Sequence, residues 1–354
     1  MATNIYQVII KDPVSGEEWE LLPKSYNFTD TLNKETTATF YFSFRELEKM
    51  AARNQTSVLN IFTTALREIY INRNGTKIFY GVVTSMDVEP VDGGDMTATI
   101  KAFSWFGLFK KRLVGKGTET IYSAVDAGDI AWDLIDDSQN SDGAYSTWGI
   151  TQGATPATKV RDRSYLFDII YDAIIALSND NLADGFDFDI DNTKAFNIYY
   201  PTKGTTRANV VFDERTAKKW RYSKRILPDI TNVAYVVGAG FNDVITNAVR
   251  TASTTYRSPF GNLEEKLDAR NVSEAATLND KGDQRLAEAR EAIVELSGLE
   301  HYDNIIGFSD YEVGDIITAN YPELGITNLA KRVRSKTFTM QTPESIGAIS
   351  IKVE

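Results

Sequence analysis

The sequence of 354 residues predicts a mixed β and α+β protein, with a β-rich segment at each end of the chain and an α+β module between them. Three observations lead to this fold class. Polar residues alternate with aromatic or β-branched ones, as in residues 37–42, which is the pattern of a half-buried strand. Asn74-Gly75 lies between two such runs and supplies the positive φ angles of a two-residue hairpin turn. The chain is also longer than one hydrophobic core usually supports, so we expect two or three domains.

The first predicted domain, residues 1–115, is a small β-barrel. A strand begins at Ile5, and residues 25–44 continue the alternating pattern. The turn-forming residues 92–95 mark a second hairpin, and residues 45–53 form a short helix between the strands. Consecutive hairpins with a single helix favour a barrel.

The second predicted domain, residues 116–219, is an α+β module. Asp126 is a suitable N-cap for a helix that carries Ile130 and Leu134 on its apolar side. A second helix is predicted over residues 164–178. It is apolar almost all round, and Asp168 and Asp172 form its only polar stripe, so we expect it to be buried on most of its faces.

The module is predicted to end in a β-hairpin, with residues 185–191 pairing with residues 196–200. The alternation places Asp187, Asp189 and Asp191 on the solvent face and the intervening apolar residues towards the core. Three carboxylates at this spacing also resemble a calcium loop. However, the loop's glycine is replaced by Asn192 and its bidentate glutamate by Ile198, so no calcium site is expected.

The third predicted domain, residues 220–354, returns to β-rich sequence. Residues 232–237 form a strand, and a helix is predicted to begin at Thr277 and to end at Gly298. Short strands separated by glycine and proline follow as far as the end of the chain.

Charge and composition exclude several classes of function. The formal net charge is −11, whereas a general nucleic-acid binder clusters Lys and Arg on one face. The basic runs at 110–112 and 218–221 are short and are interpreted as solvated or interfacial charges, so no sequence-specific nucleic-acid binding is expected. No cysteine is present, which excludes disulfides and thiolate metal sites. The sequence shows neither a signal peptide nor a membrane anchor, so we expect folding in the cytoplasm.

No catalytic, cofactor-binding or metal-binding residue is predicted, and the protein is not expected to be an enzyme. His301 is the only histidine, and no nucleophile-elbow sequence accompanies it. Residues 236–240 resemble the start of a dinucleotide-binding turn. Asp243 occupies the position of the third glycine, so a glycine bend within a barrel strand is the preferred interpretation. Glycoside hydrolysis by a pair of carboxylates stays an alternative, although nothing in the sequence distinguishes one pair among the 49 acidic residues.

Four segments together resemble the tail-hub family of long non-contractile phages, which is related to the baseplate hub of contractile tails and to the late control protein D group. The segments are residues 78–83 with 100–104, 128–135 with 148–151, 185–188 with 200–204, and 230–240. The resemblance implies a homotrimer in which each subunit supplies two tube-like β-barrel domains on either side of the central α+β module. Three subunits would then offer six similar domains to a six-fold tail tube.

The resemblance also implies the partners and the location. We expect a distal tail protein or tube ring above the hub, tip, spike or receptor-binding proteins below it, and the tape measure protein as a further candidate. The expected place is the tail tip of a virion assembled in the host cytoplasm, where an acidic channel wall, with Glu264, Glu265 or Asp310 as candidates, lets DNA pass. The chain ends directly after the second predicted barrel, so no built-in lytic activity is expected. The alternative is an extracellular β-rich carbohydrate-binding or hydrolytic protein.

Overall fold

The computed structural model describes residues 4–63, 66–91, 95–140, 148–179, 185–225, 230–240, 246–258, 261–270, 272, 274–290, 293–341 and 347–353. The strands are β1 (Tyr6–Lys11), β2 (Glu18–Leu21), β3 (Ser25–Thr31), β4 (Thr37–Ser43), β5 (Glu68–Arg73), β6 (Thr76–Pro90), β7 (Met96–Ser104), β8 (Leu113–Val114), β9 (Thr120–Asp126), β10 (Thr151–Gln152), β11 (Val160–Tyr165), β12 (Asp168–Ile169), β13 (Asp187–Ile190), β14 (Ala195–Tyr199), β15 (Thr206–Phe212), β16 (Lys219–Arg225), β17 (Val233–Val237), β18 (Asn247–Thr251), β19 (Glu264–Asp268), β20 (Ile293–Tyr302), β21 (Ile316–Tyr321), β22 (Ile326–Met340) and β23 (Ala348–Val353). The helices are α1 (Phe44–Arg53), α2 (Val58–Thr63), α3 (Ala127–Asn140), α4 (Ile170–Ser178), α5 (Thr254–Arg257) and α6 (Ala275–Ala289).

The chain divides into two compact units. Unit 1 comprises Met1–Ser178, Phe186–Lys219 and Gly298–Glu354, and unit 2 comprises Asn179–Gly185 and Trp220–Ser297. The predicted class, mixed β and α+β, is confirmed by the large antiparallel sheet of unit 1 and the few helices. The two flanking barrels and the domain boundaries at 115 and 219 stay predictions.

A single sheet in unit 1 joins strands from both ends of the chain. Its order is β23-β22-β3-β4-β7-β6-β5-β1-β2, and β21 also pairs with β22. Phe28 of β3 is opposite Ala38 of β4 on one side and Phe338 of β22 on the other. All three side chains are buried, so the predicted alternation places one face of this sheet in the core.

The predicted hairpin turn at Asn74-Gly75 is confirmed. Asn74 and Gly75 have φ angles of 50° and 83° and connect β5 to β6. The second predicted hairpin also forms, because β6 and β7 pair antiparallel as far as Pro90 and Met96. Residues 92–94 of its turn lie outside the described part of the chain.

Helix α3 begins where the sequence predicts. The Oδ1 atom of Asp126 accepts a hydrogen bond from the amide of Gly128 at 2.9 Å, which is the bond expected of an N-cap. Ile130 and Leu134 are buried and pack with α4 and with aromatic residues such as Phe106 in one core cluster. The apolar stripe of α3 therefore faces the core as predicted.

The helix predicted over residues 164–178 is wrong for residues 164–169. The chain forms β11 as far as Tyr165, turns at Phe167 with a left-handed φ of 57°, and continues as β12 before α4 begins at Ile170. Asp168 therefore lies in a strand, and its carboxylate accepts a hydrogen bond from the amide of Leu166 at 2.8 Å. The apolar run fits either element, and pairing with β8 and β9 decides for strands.

Unit 2 contains a small sheet in the order β18-β17-β19, with α6 packed against β17 and β18. The helix predicted from Thr277 to Gly298 is corrected at both ends, because α6 begins at Ala275 and ends at Ala289. Residues 293–298 belong to β20 instead. Helical spacing of apolar residues continues past Ala289 in the sequence, but a strand forms there.

Candidate functional site

The only histidine is buried in unit 1 and serves the core. The Nε2 atom of His301 lies 2.7 Å from the hydroxyl of Tyr311, and the ring of Phe212 packs edge-on against the imidazole. Burial lowers the pKa of His301 to about 4, with the nearby Lys336 ammonium acting in the same direction. Burial also raises the pKa of Tyr311 well above its usual value, so the hydroxyl donates and the neutral imidazole accepts.

The predicted exposure of the three aspartates in the β13–β14 hairpin is wrong for Asp187, which is buried. Its carboxylate accepts hydrogen bonds from the Nδ2 atom of Asn33 at 3.0 Å, from the amide of Lys203 at 2.6 Å, and from the guanidinium of Arg332. Local alternation cannot anticipate these partners because they come from distant parts of the sequence.

The other two aspartates of this hairpin are also occupied. Asp189 accepts a hydrogen bond from the ammonium of Lys203 at 2.6 Å, and Asp191 accepts two from Thr193 at 2.7 Å. Burial alone would lower the pKa of Lys203, but the attraction of Asp189 and Asp30 outweighs it and the pKa is raised. The carboxylates are thus used to fix the hairpin and its connections. Among the residues that the structure describes, no group of three acidic or histidine side chains is arranged to hold a metal ion.

The glycine pair that resembled a dinucleotide-binding turn lies at the end of β17 in unit 2, and not inside a strand as predicted. A Cβ atom on Gly238 would lie 2.6 Å from the carbonyl oxygen of Val272, so the glycine permits a close backbone approach. Its amide donates to the carbonyl of Thr246 at 2.7 Å, and β18 then returns antiparallel to β17. Asp243 lies outside the described residues. A dinucleotide-binding turn requires a helix and a parallel strand after the first strand, so this topology does not fit one.

Unit 1 contains a cavity of about 320 Å³ with a mixed lining. Lys336 is buried on its wall and donates hydrogen bonds to the carbonyl oxygens of Phe308 at 2.9 Å and Tyr311 at 2.7 Å. Burial lowers the pKa of Lys336 to about 8. The rest of the wall also carries acidic and basic side chains, including Asp30 and Lys203. These hydrogen bonds from Lys336 of β22 connect the sheet to the segment around residue 310.

Several apolar side chains of unit 1 are exposed, and two groups of them are of interest. The first, which we term the Phe167 corner, consists of Leu113 of β8 opposite Ile169 of β12, Leu166 and Phe167 in the turn before β12, and Ile121 of β9, the strand that pairs with β11. The second, which we term the β6 arm, consists of residues 84–91 with the paired start of β7 at Met96. Grouped exposed apolar side chains are typical of binding surfaces, so these two surfaces are the candidate functional sites.

The three acidic residues named as candidates for a channel wall differ in exposure. Glu264 and Asp310 are exposed, while Glu265 accepts hydrogen bonds from Thr231 and Arg285. The two basic runs contain ion-paired lysines, for example Lys218 with Glu300 at 3.1 Å. In the described part of the chain, no helix is both long and apolar enough to cross a membrane.

Comparison with known proteins identifies the fold. No protein-family model matches the sequence, and no curated protein matches it. The fold is nevertheless similar to that of two tail proteins, one of them from a prophage, and of a component of the type VI secretion system. The predicted resemblance to the baseplate-hub family is confirmed at the level of the fold.

Two tail proteins match over nearly their whole length. The tail protein of Neisseria meningitidis MC58 has 11% sequence identity and a TM-score of 0.64, with 99% of this chain and 97% of that chain covered. The 43 kDa tail protein of prophage MuSo2 from Shewanella oneidensis has 11% identity and a TM-score of 0.67, with coverage of 99% and 98%. In the Francisella PdpA–VgrG complex, the match has 10% identity and a TM-score of 0.58, and it covers all of this chain but 53% of the other.

Proposed function

We propose that this chain is a structural protein of a phage virion, the hub at the distal end of the tail tube. The observation that carries the proposal is the match to two tail proteins over 97% or more of both chains. A structural role agrees with the way the ionisable groups described above are used. Asp187, His301 and Lys336 are all buried, and each makes hydrogen bonds that stabilise the fold.

The proposed assembly is a homotrimer in which each subunit contributes two tube-like β domains. Three subunits then present six similar surfaces to a six-fold tube and a three-fold surface to the tip. The proposed neighbours are a distal tail protein or tube ring above and tip, spike or receptor-binding proteins below. Support for such contacts comes from the Francisella neighbour, in which a VgrG protein is in complex with PdpA.

The proposed ring surrounds a channel through which DNA leaves the virion. DNA carries about one negative charge per 1.7 Å of its axis, so an acidic or neutral wall lets it slide and a basic wall retains it. The net charge of −11 favours the first arrangement. Glu264 and Asp310 are exposed and stay candidates for the wall.

The test is the mass and shape of the purified protein. Light scattering after size exclusion should give three times 39.5 kDa, and negative-stain images should show a ring with a central channel. A monomer at all concentrations would contradict the hub. The carbohydrate-binding alternative predicts a monomer that binds oligosaccharides in calorimetric titration, so both measurements are made on the same preparation.

A further inference from the structure

We propose that the channel of the ring is lined by the open side of the large sheet of unit 1, and that this wall is neutral and covered with hydroxyl groups. The inference rests on the proposed hub and names the surface that the passing DNA meets. Four adjacent strands of the sheet, β22, β3, β4 and β7, each contain two threonines separated by one residue. These motifs are residues 29–31, 37–39, 97–99 and 337–339, and we term the side of the sheet that carries their eight threonines the threonine face.

The strand register places the four motifs on one side of the sheet. Thr29 of β3 lies directly opposite Thr37 of β4 and Thr337 of β22, and residues directly opposite each other share a face. Thr99 of β7 is opposite Tyr41, which lies two residues beyond the second threonine of β4 and therefore on the same side. The hydroxyls of Thr29 and Thr337 are 2.8 Å apart and form a hydrogen bond across the strands. The face is thus a regular array that backbone pairing holds in place.

The two sides of these strands have different surroundings. The middle residues of three motifs, Ala38, Ala98 and Phe338, are buried in the core of unit 1. The middle residue of the fourth, Asp30, lies on the wall of the cavity described above. None of the eight threonines is buried, and Thr37 is exposed. The core therefore packs against one side, and the threonine face is accessible to solvent.

The centre of the threonine face carries no charge. Strands β3 and β4 place the odd-numbered residues of 25–31 and 37–43 on this side, and none of these eight is ionised at neutral pH. Because 25% of the chain is charged, about two charged residues would be expected among eight surface positions. At the margins, Lys101 pairs with Asp87 at 3.6 Å, and Lys352 and Glu89 add one charge of each sign. These marginal charges cancel, so the face is neutral.

The threonine face suits neither a protein partner nor a bound sugar. The centre of a protein interface is usually apolar and contains large aromatic anchors. Tyr41, which is 36% exposed, is the only aromatic side chain on this side of β3 and β4. One ring also falls short of the aromatic platform that the carbohydrate-binding alternative requires. Hydroxyl groups both donate and accept hydrogen bonds, so this surface is well suited to hold a layer of water.

A neutral wall covered by water is suited to a duplex that must move. A lysine on the wall would neutralise a phosphate and release its counterions, so each such contact would retain the DNA. A hydroxyl group makes no contact of this strength, and ordered water can bridge it to whatever passes. A wall of this kind does not require the exposed Glu264 or Asp310.

The first test locates the threonine face in the assembled ring and uses the absence of cysteine from the chain. Thr37→Cys places one thiol on the face, and Glu48→Cys places one at an exposed position of α1 as the control. Each purified trimer is treated with a small methanethiosulfonate and, separately, with a maleimide carried by a globular protein of the subunit's size. Thr37→Cys should react with the small reagent alone, because the channel excludes the protein, whereas Glu48→Cys should react with both. Thr99→Cys, on the neighbouring strand, should repeat the pattern of Thr37→Cys.

The second test measures what a charge on the wall does. Thr37→Lys should bind a linear DNA duplex at low salt roughly tenfold or more tightly than the wild type, because its three copies in the ring can neutralise phosphates. A covalently closed circle of the same length cannot enter a closed ring, so its binding should not increase. The matched control, Ala52→Lys, adds the same charge to an exposed position of α1 and should affect linear and circular DNA alike.

The outcomes separate this inference from the proposed function. If the trimer forms and Thr37→Cys reacts with both reagents, the face lies on the outside; if it reacts with neither, the face lies between subunits. Either result overturns the inference and leaves the hub proposal standing. Equal gains for linear and circular DNA in Thr37→Lys, or a wild type that already binds the linear duplex as tightly, also overturn it. A wild-type monomer overturns both proposals.

Discussion

The single histidine makes the pH dependence of folding a direct test of the core of unit 1. His301 is fully buried, its Nδ1 atom lies 3.3 Å from the carbonyl of Tyr302, and its Nε2 atom accepts from Tyr311. Both nitrogens are therefore used by the neutral imidazole with the proton on Nδ1. A second proton on Nε2 would face the hydroxyl that already donates to it, in a site that burial makes unfavourable for charge.

The magnitude follows from the shift of the pKa. An unfolded chain has a His pKa near 6.5, and the fold lowers it to about 4. The contribution to stability is complete above pH 6.5 and is lost as the pH falls towards 4, because the unfolded chain binds a proton that the folded chain refuses. Each pH unit in this window costs about 1.4 kcal/mol, which amounts to roughly 3 kcal/mol at pH 4.

The assay compares the wild type with His301→Gln, whose side-chain oxygen can still accept from Tyr311. Urea denaturation at several pH values between 7 and 4.5 should show a steeper loss of unfolding free energy for the wild type, since the carboxylates titrate equally in both proteins. Proton NMR of the folded wild type should give one imidazole C2 resonance that does not titrate above pH 5. A resonance that titrates near pH 6.5, or identical pH slopes for the two proteins, would refute the reasoning.

Three further predictions concern stability, measured by urea denaturation for the Gly75 and Asp187 variants and by the yield of soluble protein for the Ile170 variant. Gly75→Val should cost roughly 1–2 kcal/mol, because Gly75 has a φ of 83° and a β-branched residue pays for the left-handed conformation; an unchanged midpoint would contradict this. Ile170→Asp should abolish soluble folded protein, since it buries an unpaired carboxylate at a cost of several kcal/mol; a soluble trimer would speak against it. Asp187→Ala leaves the guanidinium of Arg332 without its main partner and should cost about 3–5 kcal/mol. Its control, Asp87→Ala, removes an exposed carboxylate and should cost less than about 1 kcal/mol. Equal losses for the two aspartates would show that Asp187 is not a buried partner.

Local sequence patterns correctly predicted the turns and helix ends that are determined by neighbouring residues. The hairpin at Asn74-Gly75 depends on two residues that accept positive φ, and α3 depends on Asp126 as its cap, so both could be placed from the sequence. The helix predicted from residue 164 failed because an apolar run has no fixed preference between helix and strand. Pairing with β8 and β9 decided the outcome, and Gly115, about 50 residues earlier, contributes because it admits the backbone of Tyr165 at close range.

The candidate surfaces could be predicted only in part. The acidic stretch around Asp87 and the basic run 110–112 are visible in the sequence, but their exposure beside apolar side chains is not. The buried state of Asp187 was likewise hidden, because its partner Arg332 lies 145 residues away. Alternation reports which side chains share a face, and it cannot report what covers that face.

Buried ion pairs connect the parts of unit 1 that the sequence separates most widely. Arg73 pairs with Asp303 at 2.7 Å across 230 residues, and Arg332 pairs with Asp187 across 145. A buried pair of this kind adds little net stability compared with apolar packing, but losing one partner leaves an uncompensated charge. The free energy lost when one partner is unpaired in a partly folded unit 1 is therefore much larger than the stabilisation gained when the pair is complete. Because β3 also lies between β4 and β22, the N-terminal strands cannot complete their sheet until the C-terminal strand β22 pairs with β3. Unit 1 should then fold as one cooperative body, which would suit the proposed role as a rigid component of an assembly.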